Sequence, residues 1–458
     1  MNTNSATILQ QDPICAVATP AGVGAIGVIR VSGLGTFDIV NKIFKGKDLH
    51  QVPSHTVHFG TINDQQTILD EVLVTVFKSP KSFTKEDVVE IACHGSDYII
   101  QKILQLLIAE GAVLAQPGEF TQRAFLNGQF DLVQAEAVAD LIAADSAAAH
   151  RTALNQMRGG FSKQLAALRD ELIHFASLVE LELDFGEEDV EFAERNDLKR
   201  LILRLQSSIK PLIDSFDFGN ALKDGIPVAI VGAPNVGKST LLNALLNEER
   251  AIVTPIAGTT RDTIEDILFL DGIKFRIIDT AGIRETNDFV ESIGIERSRQ
   301  AMEKAELVLV LNSLTDLEGR PDGEMEAFSI PNQVQKKVIN IVTKIDLVDG
   351  SKLIVKDGWI RISAKTGEGL NELKQIITQS FNHSINQSLT ITNARHHQHL
   401  TKTYAALADV LYGLENGVTG DFLAQDIRLA LFELGQITGT IAAEDLLKNI
   451  FGKFCIGK

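Results

Sequence analysis

The chain has 458 residues, which suits two to four domains. Hydrophobic residues make up 45%, and no apolar run reaches bilayer length, so soluble cytoplasmic domains without a membrane partner are expected. A net charge of −17 excludes a general polyanion binder, and three scattered cysteines (Cys15, Cys93, Cys455) exclude a disulfide scaffold or a zinc finger.

The start Met1-Asn2-Thr3-Asn4-Ser5 does not read as a signal peptide. Residues 1–128 read as a mixed α/β domain. Strands are predicted at Ile14–Ala18, Ala25–Val31, Val72–Phe77 and Val88–Ala92, and a helix over Tyr98–Glu110 that Gly111 ends. From about Leu132 the pattern becomes Ala- and Leu-rich helix: Val133–Leu154, Phe161–Phe185 and Asp197–Ala221. Residues 224–380 read as a P-loop domain. Helical pattern returns at Thr392–Leu414 and Phe422–Gly435. The predicted fold class is multidomain α/β and α: a discontinuous helical domain (129–223 and 381–458) with the P-loop domain inserted. The acidic run Glu180–Glu191 reads as a solvated helix end. In Arg395-His396-His397-Gln398-His399, His396 and His399 share a helix face, yet no carboxylate is near in sequence. A basic or satisfied surface fits better than a metal site.

The chemistry is concentrated in the P-loop domain. Gly232-Ala233-Pro234-Asn235-Val236-Gly237-Lys238-Ser239 follows the apolar run Ile226–Val231 and precedes the helical run Thr240–Leu246. The glycines let backbone N–H groups curl around a phosphate. Lys238 supplies charge to the β- and γ-phosphates, and the Ser239 hydroxyl suits Mg²⁺. Four boxes follow in the order a GTPase needs. Thr259-Thr260-Arg261-Asp262 offers Thr260 to Mg²⁺. Asp279-Thr280-Ala281-Gly282 offers a water-mediated carboxylate to Mg²⁺ and an N–H that senses the γ-phosphate. Thr343-Lys344-Ile345-Asp346 places a carboxylate that accepts from guanine N1–H and N2–H₂ together. Ser363-Ala364-Lys365 suits a backbone contact to guanine O6. Between them, Asp271-Gly272 marks a hairpin turn within Ile267–Ile278.

Four segments narrow the reading: Ala18–Gly33, Pro117–Asn127, Ile256–Asp262 and the terminal Phe454-Cys455-Ile456-Gly457-Lys458. Together they resemble the MnmE (TrmE) family of tRNA modification GTPases along the whole chain. The resemblance implies a homodimer joined through N-terminal folate-binding domains, and an FAD-binding partner, MnmG. It implies installation of a carboxymethylaminomethyl or aminomethyl group at C5 of the wobble uridine of certain tRNAs. The one-carbon unit comes from 5-formyl- or methylene-tetrahydrofolate. The family's folate residues map onto Arg30, Glu90, Gln129 and Lys458. Gln129 departs from the lysine the family often carries. Cys455 stands where it could assist one-carbon chemistry, although packing is the plainer role for a cysteine in an apolar tail.

Ile283 follows the Asp279–Gly282 box and cannot orient water, so another group must. Glu285, Asp288 and Glu291 are near, and the resemblance selects Glu291. No arginine finger is obvious, though Arg261 is a candidate. The Asn235 side chain and the loop Thr254-Pro255-Ile256-Ala257-Gly258-Thr259 offer oxygens to a K⁺ ion, with Asn235, Thr254, Ile256 and Thr259 as ligands. The resemblance implies potassium-stimulated G-domain dimerisation. Thr343 replaces the usual Asn of the guanine box, which would weaken contact at N7. The alternative is a GTP-gated ribosome-assembly factor of the Era-like class, but no GXXG in a βααβ context supplies its RNA module.

Overall fold

Alternation of apolar and polar side chains shapes the first of two sheets in the computed structural model. The structure describes residues 12–184, 195–248, 266–278, 299–313, 336–347, 358–385, 390–441 and 443–457. The chain forms two compact units. One holds Met1–Ile142, Asn155–Lys199 and Ala406–Lys458; the other holds Ala143–Leu154 and Arg200–Ala405.

In the first unit the strands are β1 (Ile14–Val17), β2 (Ile26–Ser32), β3 (Phe44–Lys45), β4 (Thr56–Asp64), β5 (Thr67–Phe77), β6 (Val88–His94) and β7 (Val113–Leu114). They form one sheet in the order β3-β4-β5-β6-β2-β1-β7, antiparallel except where β1 meets β7. Every second residue of β5 and β6 (Val72, Val74, Val76, Val89, Ile91) is buried in one apolar cluster. The helices Thr36–Ile43 and Asp97–Ala109 contribute Val40, Ile43, Ile103 and Leu107 to that cluster. β4 was not predicted from sequence. Its apolar residues Val57 and Phe59 face away from this core and stay exposed, and Ile62 alone of its large apolar residues enters the core, so no alternating buried stripe marks it.

Helices Glu119–Leu126, Leu132–Ala143, Gly160–Asp184, Gly420–Thr438 and Glu444–Phe451 follow in the same unit. The long helices Gly160–Asp184 and Gly420–Thr438 pack together, and Arg428 Nε meets Glu180 Oε1 at 2.7 Å. Glu180 thus belongs to an exposed ion pair; residues 185–191 of the acidic run lie outside the described residues. The predicted single helix Val133–Leu154 is corrected to two, Leu132–Ala143 and Ala147–Met157. Ser146 ends the continuity: its Oγ accepts the Ala149 N–H at 3.1 Å, an N-terminal cap for the second helix. The predicted Asp197–Ala221 helix likewise divides into Arg195–Asp214 and Phe216–Asp224. Pro211 supplies no N–H to the last turn of the first helix, and Ser215, whose Oγ donates to the Leu212 carbonyl, stands between the two.

The second unit holds β8 (Ile226–Gly232), β9 (Asp266–Leu270), β10 (Ile273–Ile277), β11 (Leu307–Ser313), β12 (Lys337–Thr343) and β13 (Ile360–Arg361). Their order is β13-β12-β11-β8-β10-β9, parallel except for the β9–β10 hairpin. Asp271 (φ 49) and Gly272 (φ 77) make its turn with both central residues left-handed, as a tight hairpin demands. Helices Lys238–Glu248 and Leu370–Ile385 bury Leu241, Leu245, Leu373 and Ile377 in a cluster with residues of this sheet, and Ala301 and Ala305 join a separate cluster with other residues of the same strands. Such a doubly covered parallel sheet carries its ligands at the carboxyl ends of its strands.

Candidate functional site

The carboxyl end of β8 leads directly into the phosphate loop. Gly232 (φ 153) sits opposite Leu311 of β11, and a β-carbon there would come within 2.4 Å of the Leu311 carbonyl oxygen. Only glycine permits that approach. Asn235 (φ 61) and Gly237 (φ 103) are also left-handed, which turns successive N–H groups toward one concavity suited to an anion. Lys238, Ser239 and Thr240 begin the helix Lys238–Glu248, whose N-terminal dipole adds to that field. Lys238 Nζ donates to the Gly232 and Ala233 carbonyls at 2.8 and 2.9 Å, so its charge is held over the loop. Burial lowers its pKa from the ordinary lysine value.

The base-recognition side is built from the ends of β12 and β13. Thr343 is 3% exposed, and its Oγ1 donates to the Val236 carbonyl at 2.6 Å. The hydroxyl thereby ties the guanine box to the phosphate loop across the sheet. Lys344 is left-handed (φ 62), and Asp346 follows in a short 3-10 turn, Ile345–Leu347. Ser363 Oγ donates to Asp346 Oδ1 at 2.7 Å and accepts the Thr366 N–H at 3.2 Å. This fixes the carboxylate and the Ser363-Ala364-Lys365 turn together. The arrangement fits a guanine nucleotide. Thr254, Pro255, Ile256, Ala257, Gly258, Thr259, Thr260, Arg261, Asp279, Thr280, Ala281, Gly282 and Glu291 lie outside the described residues.

A second constellation lies in the first unit. Arg30 on β2 stands directly opposite Glu90 on β6, and both its Nε (2.9 Å) and Nη2 (2.8 Å) donate to Glu90 Oε1. Its guanidinium also lies beside the rings of Phe83 (5.8 Å) and Phe120 (5.7 Å). Nη1 donates to the Gly457 carbonyl at 3.3 Å. The tail is fitted closely. A β-carbon on Gly457 (φ +89) would stand 2.2 Å from the Val17 carbonyl oxygen, and one on Gly118 would stand 2.4 Å from the Phe451 carbonyl oxygen. Gly118 N–H donates to the Cys455 carbonyl at 3.4 Å. Cys455 is exposed, whereas burial pushes the Cys15 and Cys93 thiols up to about 11. Gln129 is exposed, and Lys458 lies outside the described residues.

Two family models match the chain: the MnmE helical domain over residues 132–455 and the GTP-binding protein TrmE N-terminus over residues 13–129. The tRNA modification GTPase MnmE of Cytophaga hutchinsonii is 54% identical, with 98% of each chain covered. That of Flavobacterium johnsoniae is 50% identical, covering 98% of this chain and 100% of its own. The chain belongs to the MnmE family of tRNA modification GTPases. A solved Era structure with a 16S ribosomal RNA fragment is 30% identical over 33% of this chain and 55% of its own. Its TM-score is 0.26, and so weak a likeness carries no argument.

Membership of the MnmE family accounts for the phosphate loop and brings guanine nucleotide and Mg²⁺ with it. Among the described residues no helix is long and apolar enough to cross a membrane. Among the described residues no group of three or more potential metal ligands occurs. His396 is buried, 3.0 Å from Arg395 Nη2, and His397 stacks on Phe216 with ring centroids 4.4 Å apart. The expectation of a basic or satisfied surface there is corrected at His396, which is buried on the helix Ala394–Glu415. Sequence reasoning also missed Phe83, and it gave Gly118 and Phe120 no role of their own. Only Pro117–Asn127 had been singled out, and Phe83 carried no signal of its own.

Proposed function

We propose that this MnmE-family chain hydrolyses GTP with potassium stimulation and works with the FAD-binding MnmG. The pair installs a carboxymethylaminomethyl or aminomethyl group at C5 of the wobble uridine, using a tetrahydrofolate one-carbon unit. The observation that carries the reading is Arg30: paired with Glu90 across two strands, it also bonds the carbonyl of Gly457, the residue that precedes Lys458 in sequence. A charged, aromatic-walled site that includes the chain's last residues suits a pterin with an anionic tail.

Lys238 stabilises charge developing on the phosphates, Ser239 and Thr260 hold Mg²⁺, and Asp346 selects guanine. Asn235 with Thr254, Ile256 and Thr259 would hold K⁺, and Glu291 would position water. The domains run 1–128 (folate binding and dimerisation), 129–223 and 381–458 (helical), and 224–380 (GTPase), in a cytoplasmic homodimer. Support for self-association comes from the outer face of the first sheet, where Phe59 pairs with Leu73 and both are exposed (65% and 49%). The test is wobble-uridine mass spectrometry of tRNA from a strain lacking the protein. Modification should vanish, return with the full chain, and stay absent with a chain lacking Cys455–Lys458 that still hydrolyses GTP. Normal modification in the deletion strain would overturn the reading.

A further inference from the structure

The Arg30 site is poorer in positive charge than its ligand requires. Tetrahydrofolate ends in a glutamate with two carboxylates, yet Glu90 already offsets Arg30, Gln129 is neutral, and Lys458 is the one other cation the family resemblance maps there. The loop after β5 supplies what is missing. Its Phe83 lies against both Arg30 (5.8 Å) and the ring of Phe130 (5.8 Å). Its Thr84 carbonyl accepts Asn127 Nδ2 at 2.7 Å, and Thr84 Oγ1 meets Ser32 Oγ at 2.7 Å. The loop therefore joins β2 to the segment 127–130.

Lys85 belongs to the same loop, and its Nζ donates to the Gly128 carbonyl at 2.7 Å, immediately before Gln129. Two features separate Lys85 from an ordinary surface lysine. Its backbone is left-handed (φ 59), a conformation that glycine adopts freely and a side chain disfavours. Among the described residues it makes no ion pair: neighbouring Glu86 is engaged by Ser32 and Arg123, and Asp87 by the Ser79 N–H. A lysine at a glycine-like position, anchored by a neutral carbonyl, keeps its charge available.

We propose that Lys85 is a folate-binding residue that holds a glutamate carboxylate of the ligand in place of a cation at position 129; this rests on the folate reading above. The carboxylate approaches Nζ beside the Gly128 carbonyl, and the Lys85 ammonium retains N–H donors for it after that bond. The lysine binds and orients; it takes no part in one-carbon transfer.

The test is calorimetry on the full chain with 5-formyltetrahydrofolate and with the same pterin lacking its glutamate tail. Lys85→Gly should weaken the glutamate-bearing ligand by roughly tenfold to a hundredfold, as for loss of a charge-assisted hydrogen bond. The tail-less ligand should bind the variant and the parent alike. Because glycine suits the left-handed backbone, the melting temperature should hold or rise, which separates binding from folding. Lys85→Arg should keep most affinity, and adding Gln129→Lys to Lys85→Gly should restore it. Parent-like affinity in Lys85→Gly overturns the proposal. If Arg30→Ala loses binding in that same experiment, the folate site stands and only Lys85 is wrong; if the parent binds no folate, both readings fall.

Discussion

Replacing Gly457 by Ala tests whether the C-terminal segment is a seated part of the Arg30 site. The new β-carbon would lie 2.2 Å from the Val17 carbonyl oxygen, far inside contact distance. That oxygen has little room to retreat, since Val17 ends β1 and pairs in register with Ile29 of β2. The φ of +89 adds a left-handed penalty of about 1 kcal/mol for a residue with a side chain. Release gives up the Arg30–Gly457 hydrogen bond, worth about 1 kcal/mol at its 3.3 Å length and partial exposure, in parent and variant alike. The left-handed penalty alone shifts the docked segment by about 1 kcal/mol, roughly a fivefold change in its docked-to-released ratio, and the steric clash adds to it. Hydrogen exchange read by mass spectrometry should show faster exchange in the C-terminal peptide and at Gly118, whose N–H donates to the Cys455 carbonyl. The global melting temperature should move little, because only a terminal segment opens. tRNA modification should fall while GTP hydrolysis persists. Unchanged exchange at both places, with full modification, would refute the reasoning.

Three further outcomes are expected. Asp346→Asn should shift preference from GTP toward xanthosine triphosphate, because the amide reverses the hydrogen-bond polarity that Ser363 now fixes; competitive binding of the two nucleotides checks it. Hydrolysis should run faster in K⁺ than in Na⁺ at equal ionic strength, and Asn235→Ala should erase that difference in a phosphate-release assay. Alkylation at pH 8 should modify exposed Cys455 first. Cys15 and Cys93, with thiols raised to about 11 by burial, stay protonated at that pH and should react far more slowly in peptide mass spectra.

The sequence by itself determined the elements and boxes whose parts are close along the chain. The phosphate loop is legible because its strand, glycines, lysine and helix are consecutive. The Asp271-Gly272 hairpin is legible because a tight turn has a two-residue signature. Periodicity found the long helices, but it ran through Ser146 and Ser215, where a side-chain cap and a proline-weakened turn divide them. β4 escaped because two of its three large apolar residues, Val57 and Phe59, lie on an exposed face and only Ile62 enters the core. Tertiary structure alone decided the rest. Thr343 read as a weakened guanine box, yet its hydroxyl reaches Val236, 107 residues away, and joins the two halves of the nucleotide site. Arg30 was marked only by the family resemblance, and folding alone brings Gly457, 427 residues on, within hydrogen-bond range of it. Lys85 carried no motif, and its meaning comes from a backbone angle and a carbonyl 43 residues away. Local spacing records what the backbone does over a few residues. Contacts closed over long loops depend on how the sheets and helices pack, and no short pattern in the chain encodes them.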